Sequence, residues 1–316
     1  MKVLIVDNVN EIAEKILHEA GIEPVVMKTP SPDKLMEIIP EYDGIILRNM
    51  TKVTADVIEA AKNLKIIARA GVGVDNIDVA YAYKKGIVVV NSPDGNTEAT
   101  AEHTIAMVLA LSRNIPQAYE SMHEGKFERA QFVGCELLGK TLGVIGYGKI
   151  GSRVAEIAKA FKMDVIVFDP FADKNKVLSG GAKYIENLED LLANSDYITV
   201  HVPKNKQTTD LINKDNIYKI KKGAKIINCA RGGIINEAAL KESLQQKHLT
   251  GAALDVIVDE PDVINSPLYH CSDNIIMVPH LGASTKEAQI KVAEDVARQT
   301  VDVLSGKPAK TPVITH

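Results

Sequence analysis

Short apolar runs alternate with amphipathic stretches through the first third of the chain. Each run is bounded by turn residues, and each gap is long enough for a crossover helix, which is typical of a parallel α/β sheet. The predicted strands are Val3–Val6, Val25–Met27, Gly44–Leu47, Lys65–Ala68 and Ile87–Val90. We therefore expect a parallel sheet of the flavodoxin-like type in this region.

A second α/β series begins at Thr141, after a long helix predicted from Asn96 to Arg113 that Pro116 should end. Its predicted strands are Leu142–Ile145, Asp164–Phe168, Tyr197–Val202, Ala224–Asn228, Thr250–Leu254 and Asn274–Val278. Six parallel strands are the number that a Rossmann dinucleotide-binding sheet needs. A last helix, Thr285–Leu304, carries apolar residues at the spacing of one helical face.

These patterns predict two doubly wound α/β domains. We expect residues 1–94 and 286–316 to form the first domain and residues 95–285 to form the second, dinucleotide-binding domain. The closing helix is expected to return to the first domain. A length of 316 residues agrees with two domains, because single cores stop growing near roughly 250–300 residues.

The composition indicates which classes of binding partner to expect and does not change the predicted fold. The net charge of −4 gives no general attraction to nucleic acid or to an anionic membrane. Cys135, Cys229 and Cys271 lack metal-like spacing and are typical of thiols in a reducing compartment. No apolar run approaches the ~20 residues of a membrane span. We expect a cytoplasmic protein with no metal, no nucleic-acid partner and no membrane partner.

A glycine turn follows the first strand of the second series and leads into a helix predicted over Ser152–Phe161. Gly146, Gly148 and Gly151 form G-x-G-x-x-G, which permits a tight turn, backbone approach to a pyrophosphate and close helix–strand packing. Three glycines alone are a weak signal, but the next predicted strand ends in Asp169, about twenty residues on, where a carboxylate accepts from ribose hydroxyls. That carboxylate would repel a 2′-phosphate, so the predicted cofactor is NAD rather than NADP.

Three later strand ends carry an arginine, a glutamate and a histidine. Arg231, Glu260 and His280 each follow a predicted strand, and ligands bind outside the carboxyl ends of open parallel sheets. Hydride transfer to a 2-keto acid needs a proton donor, which His280 supplies. Glu260 would orient the imidazole and favour its charged form, and Arg231 would hold the substrate carboxylate in a forked pair. Singly, these residues have ordinary structural explanations; together they indicate a dehydrogenase.

The chain resembles the D-2-hydroxyacid dehydrogenase family over essentially its whole length. The matching segments are Lys52–Ile58, Arg69–Asp78, Asn228–Gly233 and His280–Ala288. Within the family the resemblance is strongest to members that oxidise 3-phosphoglycerate in serine biosynthesis. It implies that the first domain, residues 1–94 and 286–316, is a substrate-binding (lid) domain. It also implies that Arg231 binds substrate, His280 is the acid/base and Glu260 is its partner.

The same resemblance implies the cofactor contacts. Lys149 and Ile150 would lie against the pyrophosphate, and Asp255 against the carboxamide of the nicotinamide. The residues that would line the nicotinamide are Cys229, Ala230, His280, Leu281, Gly282 and Ala283. Val72 would contact the cofactor through its backbone. Val202 and Val72 stand where relatives frequently carry threonine, so no side-chain hydrogen bond is expected from either.

Selection of a phosphorylated substrate would need positively charged side chains in addition to the catalytic and cofactor-binding residues. Arg48 and Arg69 end two predicted strands of the first domain and are candidates for binding a phosphate or carboxylate. The glycine loop and one asparagine complete the candidate substrate set, namely Asn49, Gly71, Val72 and Gly73, together with Arg231 and His280. The alternatives are a reductase of glyoxylate or hydroxypyruvate, and, more remotely, a corepressor-like module that senses NAD.

Three further expectations concern histidines, assembly and control. His103 lies between apolar residues of the Asn96–Arg113 helix and is more typical of a packed residue than a catalytic one, and a structural hydrogen bond is the simpler interpretation of His201. We expect a homodimer formed through the segment from Asn96 to about Gln131. Whether Arg129 reaches a neighbouring subunit's site stays open. Only eight residues follow Pro308, so we expect a short form without C-terminal regulatory domains, insensitive to L-serine.

Overall fold

The computed structural model describes residues 1–269, 271 and 274–314. His270, Ser272, Asp273, Thr315 and His316, which belong to the predicted domain ranges, lie outside the described residues. The chain divides into two compact units, Met1–Thr97 with Ala283–His316 and Glu98–Gly282. We call these the first and second unit. Each contains its own parallel sheet.

The first unit is built on a five-stranded parallel sheet in the order β2-β1-β3-β4-β5, the order of flavodoxin. Its strands are β1 Lys2–Ile5, β2 Glu23–Val26, β3 Gly44–Leu47, β4 Ile66–Arg69 and β5 Val88–Asn91. Its helices are α1 Ile12–Glu19, α2 Pro32–Ile38, α3 Ala55–Ala60, α4 Val79–Lys84 and α11 Lys286–Leu304, with a 3₁₀ turn at Ile39–Glu41.

Alternation along β1 separates the two core layers of the first unit. Leu4 and Val6 pack into one cluster of buried residues, whereas Val3 and Ile5 pack into the other, because successive side chains of a strand point to opposite faces. The second cluster includes the apolar face of α11, with Val292 and Val296. Thr285 caps α11 by accepting from the Ala288 amide at 3.1 Å. This cap fixes where the chain enters the helix after leaving the second unit.

The second unit contains a seven-stranded parallel sheet in the order β12-β11-β10-β9-β6-β7-β8. Its strands are β6 Thr141–Ile145, β7 Asp164–Phe168, β8 Lys183–Tyr184, β9 Tyr197–Val200, β10 Lys225–Asn228, β11 Gly251–Leu254 and β12 Ile275–Met277. Its helices are α5 Thr97–Arg113, α6 Ile115–His123, α7 Lys149–Ala160, α8 Lys174–Ser179, α9 Leu188–Asn194 and α10 Glu237–Gln245. Short 3₁₀ turns occur at Arg129–Phe132, Ile217–Lys219 and Val263–Asn265. The predicted fold class, two doubly wound parallel-sheet domains, is confirmed.

The order of strands places a switch point between β6 and β9. From β6 the sheet extends to β7 and β8 on one side, and to β9, β10, β11 and β12 on the other. Loops that follow β6 and β9 therefore leave the sheet in opposite directions and leave a crevice between them, where doubly wound folds bind ligands.

Two local predictions were wrong. Pro116 does not end the helical region, because Asn114 adopts a left-handed conformation (φ 53°) and Pro116 lies in the first turn of α6. Proline is tolerated there, since the first amides of a helix have no partner within it. Helix α7 begins at Lys149 rather than Ser152. No helix within the described ranges is long and apolar enough to cross a membrane.

Candidate active site

The glycine turn follows β6 and leads into α7. Gly146 has φ +92°, and a Cβ there would lie 2.7 Å from the His201 carbonyl oxygen. A Cβ on Gly151 would overlap the carbonyl oxygen of Gly146, whereas one on Gly148 would meet nothing within 4 Å. Gly146 and Gly151 are thus required by packing, and Gly148 leaves open space at the start of α7. An anion can approach the backbone amides there.

Asp169, directly after β7, is joined to the glycine turn. Its Oδ2 accepts from the Tyr147 amide at 2.8 Å, and its Oδ1 accepts from the Phe171 amide at 2.9 Å. Two amide donors hold the carboxylate in one orientation, partly exposed beside the turn. This is the placement that a ribose-binding acid needs in a dinucleotide fold.

His201 and Val202 follow β9 and form the other side of the switch point. The His201 ring Nε2 lies 2.9 Å from Thr199 Oγ1, and burial lowers the pKa of this histidine to about 4. The ring is therefore neutral at pH 7. A Cβ on Gly146 would lie 2.8 Å from a Val202 methyl group, so Val202 contributes an apolar wall at the turn.

The segment after β10 is shaped by Asn228. Its side chain accepts from the Ala230 amide at 3.0 Å and donates to the Arg231 carbonyl at 2.9 Å. The Arg231 guanidinium donates to the Ala230 carbonyl at 2.7 Å. Gly232 packs so tightly on Ile257 that a Cβ would overlap the Ile257 carbonyl oxygen. Glycine there brings the segments after β10 and β11 into direct contact.

Glu260 and His280 are brought together. Glu260 Oε2 lies 2.8 Å from His280 Nδ1, and Glu260 Oε1 accepts from the Ile257 amide at 3.2 Å. About a third of each side chain is exposed. A carboxylate accepts only, so Nδ1 carries the proton of the neutral ring and Nε2 is the basic nitrogen.

Glu237 fixes the segment that carries Glu260. This buried carboxylate, on α10, accepts from the Val258 amide at 2.7 Å and from the Ser266 hydroxyl at 2.7 Å. Sequence reasoning missed it because Glu237 sits in an ordinary amphipathic helix. Its buried state was not visible in the pattern.

Asp255, Cys229 and His103 form a buried cluster under the His280 loop. The ligand atoms of the three side chains lie within 4.8 Å of one another, a spacing that could hold a metal ion. However, both Asp255 oxygens already accept backbone amides, from Leu281 and Gly282. Burial, and then the Asp255 charge, raise the pKa of the Cys229 thiol to about 12, so a metal would have to displace a tightly held proton. We interpret the cluster as structural support.

Arg48 and Asn49 follow β3 in the first unit, and the buried Asp7 carboxylate organises their loop. Asp7 Oδ2 accepts from the amides of Arg48 at 3.1 Å and Thr51 at 2.9 Å, and Oδ1 accepts from the Thr51 hydroxyl at 2.6 Å. Asn76 Nδ2 donates to the carbonyls of Arg48 at 2.8 Å and Thr51 at 2.6 Å. Asn49 is exposed. Asp7 is a second residue that the sequence did not single out.

The glycine loop after β4 wraps around Arg69. A Cβ on Gly71, which has φ +148°, would overlap the Arg69 guanidinium, so only glycine admits that arginine conformation. Arg69 also donates to the Ala70 carbonyl at 3.3 Å. The Val72 carbonyl accepts from Asn91 Nδ2 at 2.6 Å, and Gly73 is partly buried. Ala283, unlike the other residues expected at the nicotinamide, belongs to the first unit.

Comparison with known proteins agrees with this geometry. Residues 105–282 match the model of the D-isomer specific 2-hydroxyacid dehydrogenase, NAD binding domain. The chain is 50% identical over 313 residues to a D-3-phosphoglycerate dehydrogenase of Synechocystis, covering 99% of the chain and 56% of that protein. It thus spans little more than half the length of such curated relatives, at 56% and 59% for two of them.

Solved structures of similar chains share the fold over nearly the full length. The TT0316 protein of Thermus thermophilus superposes with a TM-score of 0.91 at 32% identity, covering 99% of this chain and 100% of that one. The D-lactate dehydrogenase of Aquifex aeolicus, complexed with NAD and lactic acid, superposes with a TM-score of 0.86 at 30% identity, covering 96% of each chain. The chain belongs to the D-isomer specific 2-hydroxyacid dehydrogenase family and contains the family's NAD-binding domain.

Proposed function

We propose that the protein is an NAD-dependent D-2-hydroxyacid dehydrogenase that oxidises 3-phosphoglycerate to 3-phosphohydroxypyruvate in serine biosynthesis. The observation that carries the proposal is the 2.8 Å contact between Glu260 Oε2 and His280 Nδ1. This pair follows two adjacent strands of a sheet whose glycine turn and Asp169 have the geometry of a dinucleotide site. The names of the relatives that match nearly the whole chain supply the substrate.

The residues present fit NAD. Gly146, Gly148 and Gly151, with Lys149 and Ile150 at the start of α7, would hold the pyrophosphate on the helix N-terminus. Asp169 would accept from the ribose hydroxyls and repel a 2′-phosphate. The apolar Val202, Cys229 and Ala230, with the 280–282 backbone, would surround the nicotinamide. When bound, NAD accepts the hydride that leaves C2 of the substrate.

His280 would move the proton. In the oxidation, the C2 hydroxyl gives its proton to His280 Nε2 while the C2–H bond breaks, and the C2–O bond becomes a carbonyl. Glu260 keeps the Nδ1 proton in place and stabilises the imidazolium that results. Arg231 would hold the substrate carboxylate and polarise the C2 oxygen in the reverse direction. Asp255, which the resemblance implies lies against the carboxamide, is fully buried with its oxygens bound to the Leu281 and Gly282 amides, so we propose that it acts on the cofactor through that loop.

Arg48 and Arg69 would supply the positive charge that selects a phosphorylated substrate. Arg48 is the better candidate, since the Asp7 and Asn76 bonds fix its backbone while its side chain is partly exposed. Arg69 is folded against Gly71 and the Ala70 carbonyl, which favours a role in shaping the loop of Gly71, Val72 and Gly73. Were neither to contact phosphate, a reductase of glyoxylate or hydroxypyruvate would be the better description.

A substrate comparison tests the proposal. NADH formation should be far faster with 3-phosphoglycerate than with D-glycerate or D-lactate. Arg48→Gln should raise KM for 3-phosphoglycerate by about 10–100-fold, the size of a lost charged hydrogen bond, and leave KM for D-glycerate nearly unchanged. Lys28→Gln is the matched control, because Lys28 is exposed in the same unit. Equal rates with phosphorylated and unphosphorylated acids would overturn the substrate assignment.

We further propose that the protein is a cytoplasmic homodimer. Six large apolar side chains between positions 115 and 138 are more than half exposed in the single chain, namely Ile115, Tyr119, Met122, Phe127, Val133 and Leu138. Apolar surface concentrated in one segment is typical of an interface between copies. Sedimentation at micromolar concentration should show a dimer that Phe127→Asp weakens. A stable wild-type monomer would contradict the proposal.

A further inference from the structure

The loop that carries His280 is attached to a single residue, Asp255. The Asp255 carbonyl accepts from the His280 amide at 2.9 Å. Its Oδ1 accepts from the Leu281 amide at 2.6 Å, and its Oδ2 accepts from the Gly282 amide at 2.8 Å. His280 has φ 54°, a left-handed conformation that is sterically unfavourable for a non-glycine residue. Three consecutive amides bound to one residue stabilise that conformation.

The carboxylate that makes these bonds is fully buried, with none of its side chain exposed. A buried charge is stable only when donors or opposite charge surround it. The neighbouring Cys229 adds no second negative charge, because burial raises the pKa of its thiol and keeps it protonated. The Nε2 of His103 lies 3.2 Å from Asp255 Oδ1.

His103 belongs to a stripe of three polar residues on α5. Thr100, His103 and Thr104 are spaced i, i+3 and i+4 on α5, so they share one face. Thr100 Oγ1 donates to the Gly282 carbonyl at 3.2 Å, and Thr104 hydrogen-bonds the Cys229 thiol. All three residues of the stripe therefore contact the His280 loop or the cluster beneath it.

We propose that His103 is a positioning residue for His280 that acts through Asp255. Its buried Nε2 meets the geometric criteria of a hydrogen bond with none of the described residues, and Asp255 Oδ1, at 3.2 Å, is the carboxylate oxygen that it approaches. The imidazole compensates the carboxylate charge, the carboxylate keeps both amide bonds, and the amide bonds hold His280 in its left-handed conformation. Loss of the imidazole lets the carboxylate turn and displaces His280 Nε2. The inference rests on the proposed dehydrogenase function.

Two substitutions separate positioning from packing. Leucine at position 103 suits a half-buried helical site but cannot donate, whereas the amide of glutamine reaches nearly as far as Nε2 of histidine and can donate. We expect His103→Leu to lower kcat about tenfold with KM for NAD changed less than twofold, because a small misplacement of a catalytic group is costly. His103→Gln should recover most of the rate. His18→Leu, on the exposed side of α1, is the matched control and should behave as wild type.

A double substitution tests whether the effect passes through His280. In a His280→Ala background, His103→Leu should change the residual rate less than twofold, because there is no longer a ring to position. A further tenfold loss there would show that His103 acts on another step, and would overturn the proposal. So would a His103→Leu enzyme with wild-type kcat, or a His103→Gln enzyme as slow as His103→Leu.

Hydrogen exchange supplies a readout that needs no turnover. The amides of Leu281 and Gly282 should be protected in wild type and in His103→Gln, and should exchange at least tenfold faster in His103→Leu. Unchanged protection in His103→Leu would contradict the proposal even in an active enzyme. Failure of wild type to oxidise any D-2-hydroxy acid would instead refute the proposed function, while the exchange result would still stand.

Discussion

Protonation of His201 should destabilise the second unit at mildly acidic pH. Burial lowers the pKa of His201 from 6.5 to about 4 in the folded chain, while the unfolded chain keeps the ordinary value. Between these two values the unfolded chain binds more protons, so stability is complete above pH 6.5 and is lost as the pH falls toward 4. This difference between the two pKa values corresponds to at most ~3–4 kcal/mol of unfolding free energy, of which ~2 kcal/mol is lost by pH 5. His201 keeps some exposed surface, so these figures are upper limits.

The assay compares wild type with His201→Gln, whose amide can keep the contact to Thr199. Urea unfolding followed by circular dichroism at pH 7.5 and pH 5 gives the stability difference between the two proteins, in which the other titrating groups cancel. Between pH 7.5 and pH 5, the free energy of unfolding of His201→Gln should rise by ~1–2 kcal/mol relative to that of wild type. His18→Gln, at an exposed histidine, serves as the control. An NMR titration showing His201 with a midpoint near 6.5 would refute the reasoning directly.

Three substitutions test the roles proposed for the second unit. Asp169→Ala should weaken NAD binding by about 10–100-fold and reduce the preference for NAD over NADP, because the hydrogen bonds to the ribose and the repulsion of a 2′-phosphate are both lost. Wild-type affinity in a binding assay by NADH fluorescence would contradict the role of Asp169 in binding the ribose. Arg231→Lys should lower kcat/KM by about a hundredfold although the charge is kept, since an ammonium cannot make the forked contact; near-normal steady-state kinetics would remove Arg231 from the site. Glu260→Gln should lower kcat by at least about a hundredfold, because an amide can donate to Nδ1 and so favour the wrong tautomer; a loss confined to KM for NAD would place Glu260 elsewhere in the mechanism.

The strands were predictable because each is a short apolar run closed by turn residues. In a parallel sheet covered on both faces such runs are continuous, so Gly44–Leu47 could be identified from its composition alone. Helix α6 could not, because Pro116 is equally compatible with the end of one helix and the first turn of the next. The two-residue strand β8 is too short to produce any pattern.

The site residues that follow the carboxyl ends of strands could be predicted from the sequence. The residues that are held by contacts between distant segments could not. Glu260 and His280 were paired because each follows a strand of one sheet. Glu237 contacts Ser266, 29 residues away, and Asp7 contacts Thr51, 44 residues away, and no local pattern encodes such pairs. The polar stripe on α5 was visible in the sequence, but the contact of His103 with Asp255 is a tertiary feature that the pattern of one helix cannot show.

The most direct test of the central claim follows the hydrogen at C2. The protein is incubated with 3-phosphoglycerate deuterated at C2 and with NAD, and the reduced dinucleotide is analysed by mass spectrometry. The account predicts one deuterium in the nicotinamide ring of the NADH formed, and formation at least a hundredfold slower in His280→Ala. Reduced dinucleotide without deuterium, or none formed by the wild-type protein, would contradict it.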